Sequence, residues 1–228
     1  MTRRRIMIRD TRKNQEYFIR YLDYQYSRIE QKVSKLHECG DNEEKKQRIL
    51  LSLTKYEIDL LKAEFSNRAP IEKLRALLAR AIGFIKEYKK PTKEDILILL
   101  SLAIMLDIES YARILTVVNE DMISKDRLLQ CLSAYIKLGT WDWDESIALD
   151  SEYDKLNNVF AGSDKEEALL DYLESWYHNH RGYAWYDSHL GDKDTYCGYW
   201  SFESAAIVRM LSLDDRKLRE NKFYPYLQ

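Results

Sequence analysis

Apolar residues spaced three and four positions apart recur along most of this chain. The stretch RDTRKNQEYFIRYLDYQYSRIEQKVSKL, residues 9–36, carries the first such stripe, made up of Tyr17, Phe18, Tyr21, Leu22, Ile29, Val33 and Leu36. This spacing places the apolar side chains on one face of a helix. Only 7 Gly and 3 Pro interrupt the 228 residues, and no segment shows the alternating pattern of a half-buried strand. The sequence therefore predicts an all-α fold.

Turn and capping residues divide the first 140 residues into successive helices. A turn at residues 40–42 predicts that the second helix packs back antiparallel on the first. Pro70 suits the first turn of a third helix, near residues 70–88. Thr92 and Asp95 have the spacing of a capping box, and the segment that follows is apolar nearly all round. That segment predicts a central, buried helix.

The remaining elements follow from similar signals. Residues 110–118 and 126–138 predict two more helices, with Gly139 as a left-handed cap. Residues 140–162 suggest an irregular loop with a short helix, Ser163 and Glu166 suggest a second capping box, and a final helix begins near Ser201. The predicted architecture is an antiparallel helical bundle at residues 1–140 and an aromatic-rich helical subdomain at residues 141–228, packed as one unit.

Several features indicate a cytoplasmic protein. No run of apolar residues is long enough to span a membrane, and the basic start MTRRRIMIRD lacks the apolar core of a secretory signal. Cys39, Cys131 and Cys197 are odd in number and widely spaced, which favours reduced thiols that act as small buried apolar side chains.

The net charge of −2 conceals a strong asymmetry. Residues 141–175 contain eleven acids and only two lysines, residues 176–228 are balanced, and the first 140 residues are net basic. In the basic half, Lys and Arg alternate with acids along the predicted helices and form no aromatic-interleaved basic groove, so a nucleic-acid-binding regulator is a weaker alternative. An acidic surface would instead attract a basic protein.

Signals for catalysis or metal binding are weak. His178, His180, His189 and Cys197 could together supply four zinc ligands, but their spacing matches no standard zinc site, and on a helix His178 and His180 would point apart. No serine-nucleophile motif or phosphate-binding glycine loop is present. We therefore predict no metal, no cofactor and no catalytic residue.

Aromatic residues crowd around Glu203 near the end of the chain. A buried glutamate needs hydrogen-bond donors, which Tyr, Trp or His189 could supply. We interpret this set as a structural polar–aromatic cluster. The alternative is an enzyme with an aromatic-walled pocket around His189 and Glu203. The set comprises Trp185, Tyr186, His189, Tyr199, Trp200 and Glu203.

The order of these segments resembles a known family. WYDSH at residues 185–189, YCGYWSFESAAIVRMLSLDD at 196–215 and FYPYL at 223–227 resemble the C-terminal domain of the PoNi immunity proteins, and RDTRKNQEYFIRYLDYQYSRIE at 9–30 resembles their N-terminal domain. The resemblance implies a helical, cytoplasmic, non-enzymatic protein that binds and blocks a PoNe-type DNase toxin delivered between competing bacteria. The matching residues are expected to be a fold signature rather than toxin contacts: Trp185, Tyr186, His189, Gly198, Tyr199, Trp200, Glu203 and Pro225.

The acidic stretch lies outside those motifs, and its role is a separate inference. A DNase must present a basic surface to DNA, and an acidic inhibitor would compete for that surface. Tryptophans beside acids are typical of interface hot spots. The alternative is an ordinary solvated face with the tryptophans packed inward. The predicted toxin-binding residues are Trp141, Asp142, Trp143, Asp144, Glu145, Asp150, Glu152 and Asp154.

Overall fold

The computed structural model describes residues 8–227, and within them every regular element is a helix. The all-α prediction is confirmed. The absence of a secretory signal was predicted from the basic start of the sequence, residues 1–10. Most of these residues lie outside the range that the structure describes. The α-helices are α1 (Gln15–His37), α2 (Glu43–Ser66), α3 (Ile71–Ile85), α4 (Lys93–Met105), α5 (Glu109–Val118), α6 (Glu120–Ile123), α7 (Arg127–Leu138), α8 (Leu156–Ala161), α9 (Lys165–Asn179) and α10 (Phe202–Leu211).

Helices α1, α2 and α3 form the first layer and follow the predicted boundaries closely. Asn14 caps α1 and Asn42 caps α2, each accepting a hydrogen bond from a backbone N–H three residues on. Gly40 takes a left-handed φ of 55° in the turn between them. The apolar stripe of α1 packs on α2, and α2 packs in turn on α3.

Helix α4 lies at the centre of the molecule. Thr92 and Asp95 form the predicted capping box, and every residue from Asp95 to Met105 is buried. Helices α2, α5, α7 and α10 all pack against it. A helix surrounded on all sides needs no polar face, which explains why its sequence is apolar nearly all round.

The acidic stretch follows α7 and begins where that helix ends. Gly139 caps α7 with a left-handed φ of 70°, as predicted. A loop, a short 3₁₀ helix at Ser151–Tyr153 and the short α8 precede α9. The capping box predicted for Ser163 and Glu166 is wrong by one residue, because Asp164 accepts the hydrogen bond from the Glu167 N–H.

The C-terminal residues pack directly against the first helices. Helix α10 lies on α4, and the Tyr17 hydroxyl of α1 both donates to the Tyr196 carbonyl (2.8 Å) and accepts from the Tyr196 N–H (2.9 Å). Buried residues from both ends of the chain belong to one hydrophobic core. Among the described residues, no helix is long and apolar enough to cross a membrane.

Candidate functional site

Arg127, at the start of α7, holds the loop that opens the acidic stretch. Its guanidinium donates to the carbonyls of Glu145 (2.6 Å) and Ile147 (2.8 Å) and to the side chain of Asn157 (2.7 Å). Charge-assisted hydrogen bonds of this kind give an irregular loop a defined position. The backbone of the acidic segment, which we define as residues 141–154, is therefore fixed around Glu145 and Ile147, and most of its acidic side chains are exposed.

The two tryptophans of this segment differ in their environments. Trp143 stacks on Phe160 with ring centroids 4.0 Å apart, and its Nε1 donates to Asn157. Trp141 also contacts Phe160, with centroids 5.4 Å apart, but remains 38% exposed. Trp143 thus packs inward, whereas part of the Trp141 ring is exposed at the protein surface.

The acids of the segment divide into two groups. Asp150 forms an ion pair with Lys93, and Glu152 accepts a hydrogen bond from the Tyr183 hydroxyl at 2.6 Å. Asp144 is exposed, and hydrogen bonds from the Ser146 hydroxyl and N–H lower the pKa of its carboxyl group. Within residues 8–227, no salt bridge is formed by the other exposed acids of the segment, which are Asp142, Glu145 and Asp154.

A second acidic surface lies on α9. Glu167, Asp171 and Glu174 follow one another at steps of four and three residues and are all exposed, so they form a stripe along one helix face. Lys155 pairs with Asp171 at 2.7 Å. These acids are part of the negative charge of residues 141–175, and their spacing of four and three residues could have identified the stripe from the sequence.

Glu203 lies in a buried hydrogen-bonded group that we call the Glu203 cluster: Tyr172, Trp176, Ser201 and Glu203. Its Oε1 accepts from the Tyr172 hydroxyl (2.7 Å), the Trp176 Nε1 (2.6 Å) and the Ser201 hydroxyl (2.6 Å). Burial and the charge of Glu203 raise the pKa of Tyr172 well above its ordinary value, so this hydroxyl remains a donor. Aromatic hydrogen-bond donors to Glu203 were predicted, but Tyr172 and Trp176 were not identified as those donors. Both residues lie on α9, about thirty residues before Glu203 in the sequence.

The other aromatic residues near the C-terminus find different partners. The Trp185 Nε1 donates to Glu94 of α4 (2.9 Å), and the Trp200 Nε1 donates to Ser66 of α2 (2.8 Å). His189 Nδ1 lies 3.0 Å from the Tyr199 hydroxyl. Trp185 and Trp200, two residues of the fold signature expected from the resemblance, thus join the end of the chain to α4 and α2, and Tyr186 stacks on Tyr177 of α9.

Gly198 allows one of these contacts. Its φ of 120° is rarely adopted by other residues, and a Cβ at this position would lie 2.2 Å from the Ser66 hydroxyl. The absence of a side chain lets the Trp200 indole and Ser66 meet beside the backbone. Pro225, which also belongs to the signature, is buried near the end of the described chain.

His189 and Glu203 do not line the same cavity. Glu203 borders a narrow pocket of about 30 Å³ together with Lys62, Glu94 and His180, which leaves room for little more than a water molecule. His189 borders a separate open cleft. The arrangement therefore does not bring these two residues together around one substrate-sized pocket.

The four residues considered as zinc ligands are also separated. His178 is exposed, whereas buried His180 bonds the Trp176 carbonyl through Nδ1 (2.6 Å). Burial raises the pKa of the Cys197 thiol, which donates to Asp59 at 3.7 Å. Within residues 8–227, no group of three or more His, Cys, Asp or Glu side chains is arranged to hold a metal ion. All three cysteines are free, with Cys131 and Cys197 buried and Cys39 partly exposed.

Comparison with known proteins adds evidence on fold and family. The fold is similar to the crystal structure of protein PA2201 from Pseudomonas aeruginosa, with a TM-score of 0.65 and 16% sequence identity over 97% of this chain and 89% of that one. A search of curated protein sequences finds no match. Residues 124–227 match the family described as PoNe immunity proteins (PoNi), C-terminal. The resemblance seen in the C-terminal segments of the sequence is thus confirmed over residues 124–227, which are similar to the C-terminal domain of the PoNi immunity proteins.

Proposed function

We propose that this protein protects its cell by binding a cognate PoNe-type nuclease toxin directly, through a surface centred on Trp141 and the exposed acids around it. The family implies immunity against a PoNe nuclease. The observation that supports this surface is the combination of a half-exposed tryptophan with neighbouring exposed acids that form no salt bridge among the described residues: Asp142, Asp144 and Glu145.

The charges of inhibitor and toxin are expected to be complementary. A DNase binds a phosphate backbone through Lys and Arg side chains, so its substrate-binding face is basic. An acidic protein surface is drawn to that face by long-range attraction, which raises the association rate and excludes DNA once the complex forms. The acidic stripe Glu167–Asp171–Glu174 on α9 would extend this attraction.

The anchoring of the segment supports a binding role in a second way. Arg127 and the Trp143–Phe160 stack hold the loop in place before any partner arrives. A surface that is already ordered loses less conformational entropy on binding than a flexible one. The protein then acts by occupancy in the cytoplasm, with no catalytic residue and no cofactor.

The test is to purify this chain together with the product of the neighbouring gene and to measure the DNase activity of that product with and without the chain. The purified chain should form a one-to-one complex with the nuclease domain and abolish cleavage of plasmid DNA at stoichiometric amounts, without turnover of the toxin. The triple variant Asp142→Lys, Asp144→Lys, Glu145→Lys should lose most of this inhibition.

The matched control is a second triple variant that reverses three acids on a different surface. Asp23, Glu30 and Asp41 are exposed on or beside α1, and Asp23→Lys, Glu30→Lys, Asp41→Lys should leave inhibition intact. Full inhibition by the first variant would place the interface elsewhere. Failure of the wild-type chain to bind or inhibit the nuclease would contradict direct binding itself.

A further inference from the structure

An open cleft separates the start of α1 from the last residues of the chain. It has a volume of about 1130 Å³ and is bordered by residues 8–16 on one side and by residues 219–226 on the other. Its volume is slightly above the range of about 300–1,000 Å³ that is usual for small-molecule pockets. It is distinct from the acidic segment, and the proposed function makes no use of it.

Cations outnumber acids along this cleft. Arg9, Arg12, Arg68, Arg219 and Lys222 line it, against Glu16 and Glu220. Arg12 pairs with Asp10 through its Nη1 at 3.2 Å, and Arg219 pairs with Asp215 at 2.7 Å. Arg9 and Lys222 form no salt bridge with any residue in the range 8–227, which leaves uncompensated positive charge at both sides of the cleft.

The two arginines at the N-terminal side also have unused hydrogen-bond donors. Arg9 donates to the Phe65 carbonyl at 3.0 Å and lies over the Phe65 ring, but its buried Nε has no hydrogen-bond partner in the described part of the chain. The same is true of the buried Nη2 of Arg12. Buried donors without a partner are costly, and a guanidinium is well shaped to bind an oxyanion.

Burial, followed by neighbouring positive charge, lowers the pKa values of two groups that line the cleft. Burial and then the charge of Arg68 lower the pKa of Arg9 below its usual range. Burial and then the charge of Arg12 lower the pKa of His189, with a smaller contribution in the same direction from Lys13, while Asp187 and Asp10 act in the opposite sense. An anion in the cleft would offset the repulsion that both groups experience.

Two further features favour an anion at this position. The guanidinium of Arg12 and the Nζ of Lys222 lie 4.9 and 5.0 Å from the same Phe223 ring, so these charges from opposite ends of the chain are held near each other. Asn14 and Gln15, at the start of the 23-residue helix α1, also border the cleft, and the positive end of the helix dipole adds to the potential. We propose that this cleft binds a small, multiply charged oxyanion of the phosphate class, held by Arg9 and Arg12 with Lys222 at its edge.

The test uses the purified full-length chain with pyrophosphate and inorganic phosphate as probes, and with sodium chloride at matched ionic strength as the reference. Binding is measured by isothermal titration calorimetry. The His189 imidazole resonances are followed by NMR as a function of pH with and without pyrophosphate. We expect saturable one-to-one binding and a rise in the pKa of His189, because a nearby anion stabilises the imidazolium.

Variants inside and outside the cleft show whether pyrophosphate binds there. Lys222→Gln, at an exposed position, should weaken pyrophosphate binding by about fivefold, and Arg9→Gln by about tenfold or more, since charge-assisted contacts are lost. Lys137→Gln, an equally conservative change at an exposed position on α7, should have no effect.

Three outcomes would overturn the proposal. These are no saturable binding beyond that of chloride, binding that leaves His189 unchanged, and binding that Lys222→Gln and Lys137→Gln reduce equally. Arg9→Gln is compared only after circular dichroism shows a wild-type melting curve. If it is unfolded, the Lys222→Gln and His189 results decide.

Discussion

The acidic segment and the Glu203 cluster both carry carboxylates beside aromatic rings, but they use them in opposite ways. Glu203 is buried and receives three hydrogen bonds from residues of its own chain. Asp142 and Glu145 are exposed and form no salt bridge within the described residues. A carboxylate whose bonding capacity is met internally contributes to the fold, whereas an exposed, unpaired one is available to another molecule. We therefore expect substitutions in the buried aromatic region around Glu203 to reduce stability, and substitutions in the acidic segment to reduce toxin binding.

The largest effect is expected at Trp200. Trp200→Ala removes an indole that packs edge-on against Phe65 at 5.0 Å and donates to Ser66, so it should lower the free energy of unfolding by about 3–5 kcal/mol. Urea unfolding followed by circular dichroism measures this change. Trp141→Ala is the matched control and should cost no more than about 1 kcal/mol, because Trp141 is half-exposed. Equal losses for the two variants would contradict the division between the regions.

A smaller effect is expected when the charge of Glu203 is removed. Glu203→Gln keeps the shape of the side chain but replaces a charged acceptor of three donors with a neutral amide, and should cost about 1–3 kcal/mol. The same change at a surface acid, Glu145→Gln, should stay within about 0.5 kcal/mol. A Glu203→Gln protein of unchanged stability that no longer protects cells would mean that Glu203 acts in function rather than in the fold.

Charge reversal in the acidic segment should affect binding and leave folding nearly unchanged. Asp142→Lys, Asp144→Lys, Glu145→Lys should slow association with the toxin by about tenfold or more at low salt, since electrostatic steering supplies much of the rate. Stopped-flow association measured over a range of salt concentrations tests this directly. The wild-type rate should fall as salt rises, and the variant should show a flatter or reversed dependence. An unchanged salt dependence would show that these acids only face solvent.

The smallest effect on the melting temperature is expected from adding a metal chelator. His178, His180, His189 and Cys197 have separate partners or are exposed, so a chelator should not change the melting temperature. Differential scanning fluorimetry with and without EDTA measures it, and elemental analysis provides an independent check. About one zinc per chain, lost together with stability, would contradict this expectation.

Much of the fold follows from local sequence signals. The capping box at Thr92 and Asp95, the left-handed cap at Gly139 and the apolar stripe of α1 each depend on residues within a few turns of a helix. Helix periodicity and end signals are short-range, so they can be recognised without the fold. The one-residue error at the start of α9 arose because Ser163 and Asp164 are both good cap residues, and only the backbone geometry selects between them.

Tertiary structure decided what each polar residue contacts. Glu203 meets Tyr172 and Trp176, Trp200 meets Ser66, and Asp10 meets Arg12 and Tyr196. Two of these pairs, Trp200 with Ser66 and Asp10 with Tyr196, are separated by more than a hundred residues, so no local pattern predicts them. Sequence patterns alone were sufficient to establish that the chain is helical, that its end is rich in aromatic residues and that its acids are concentrated after α7. Packing determined which acids are enclosed and which remain exposed, because burial depends on how distant helices cover one another.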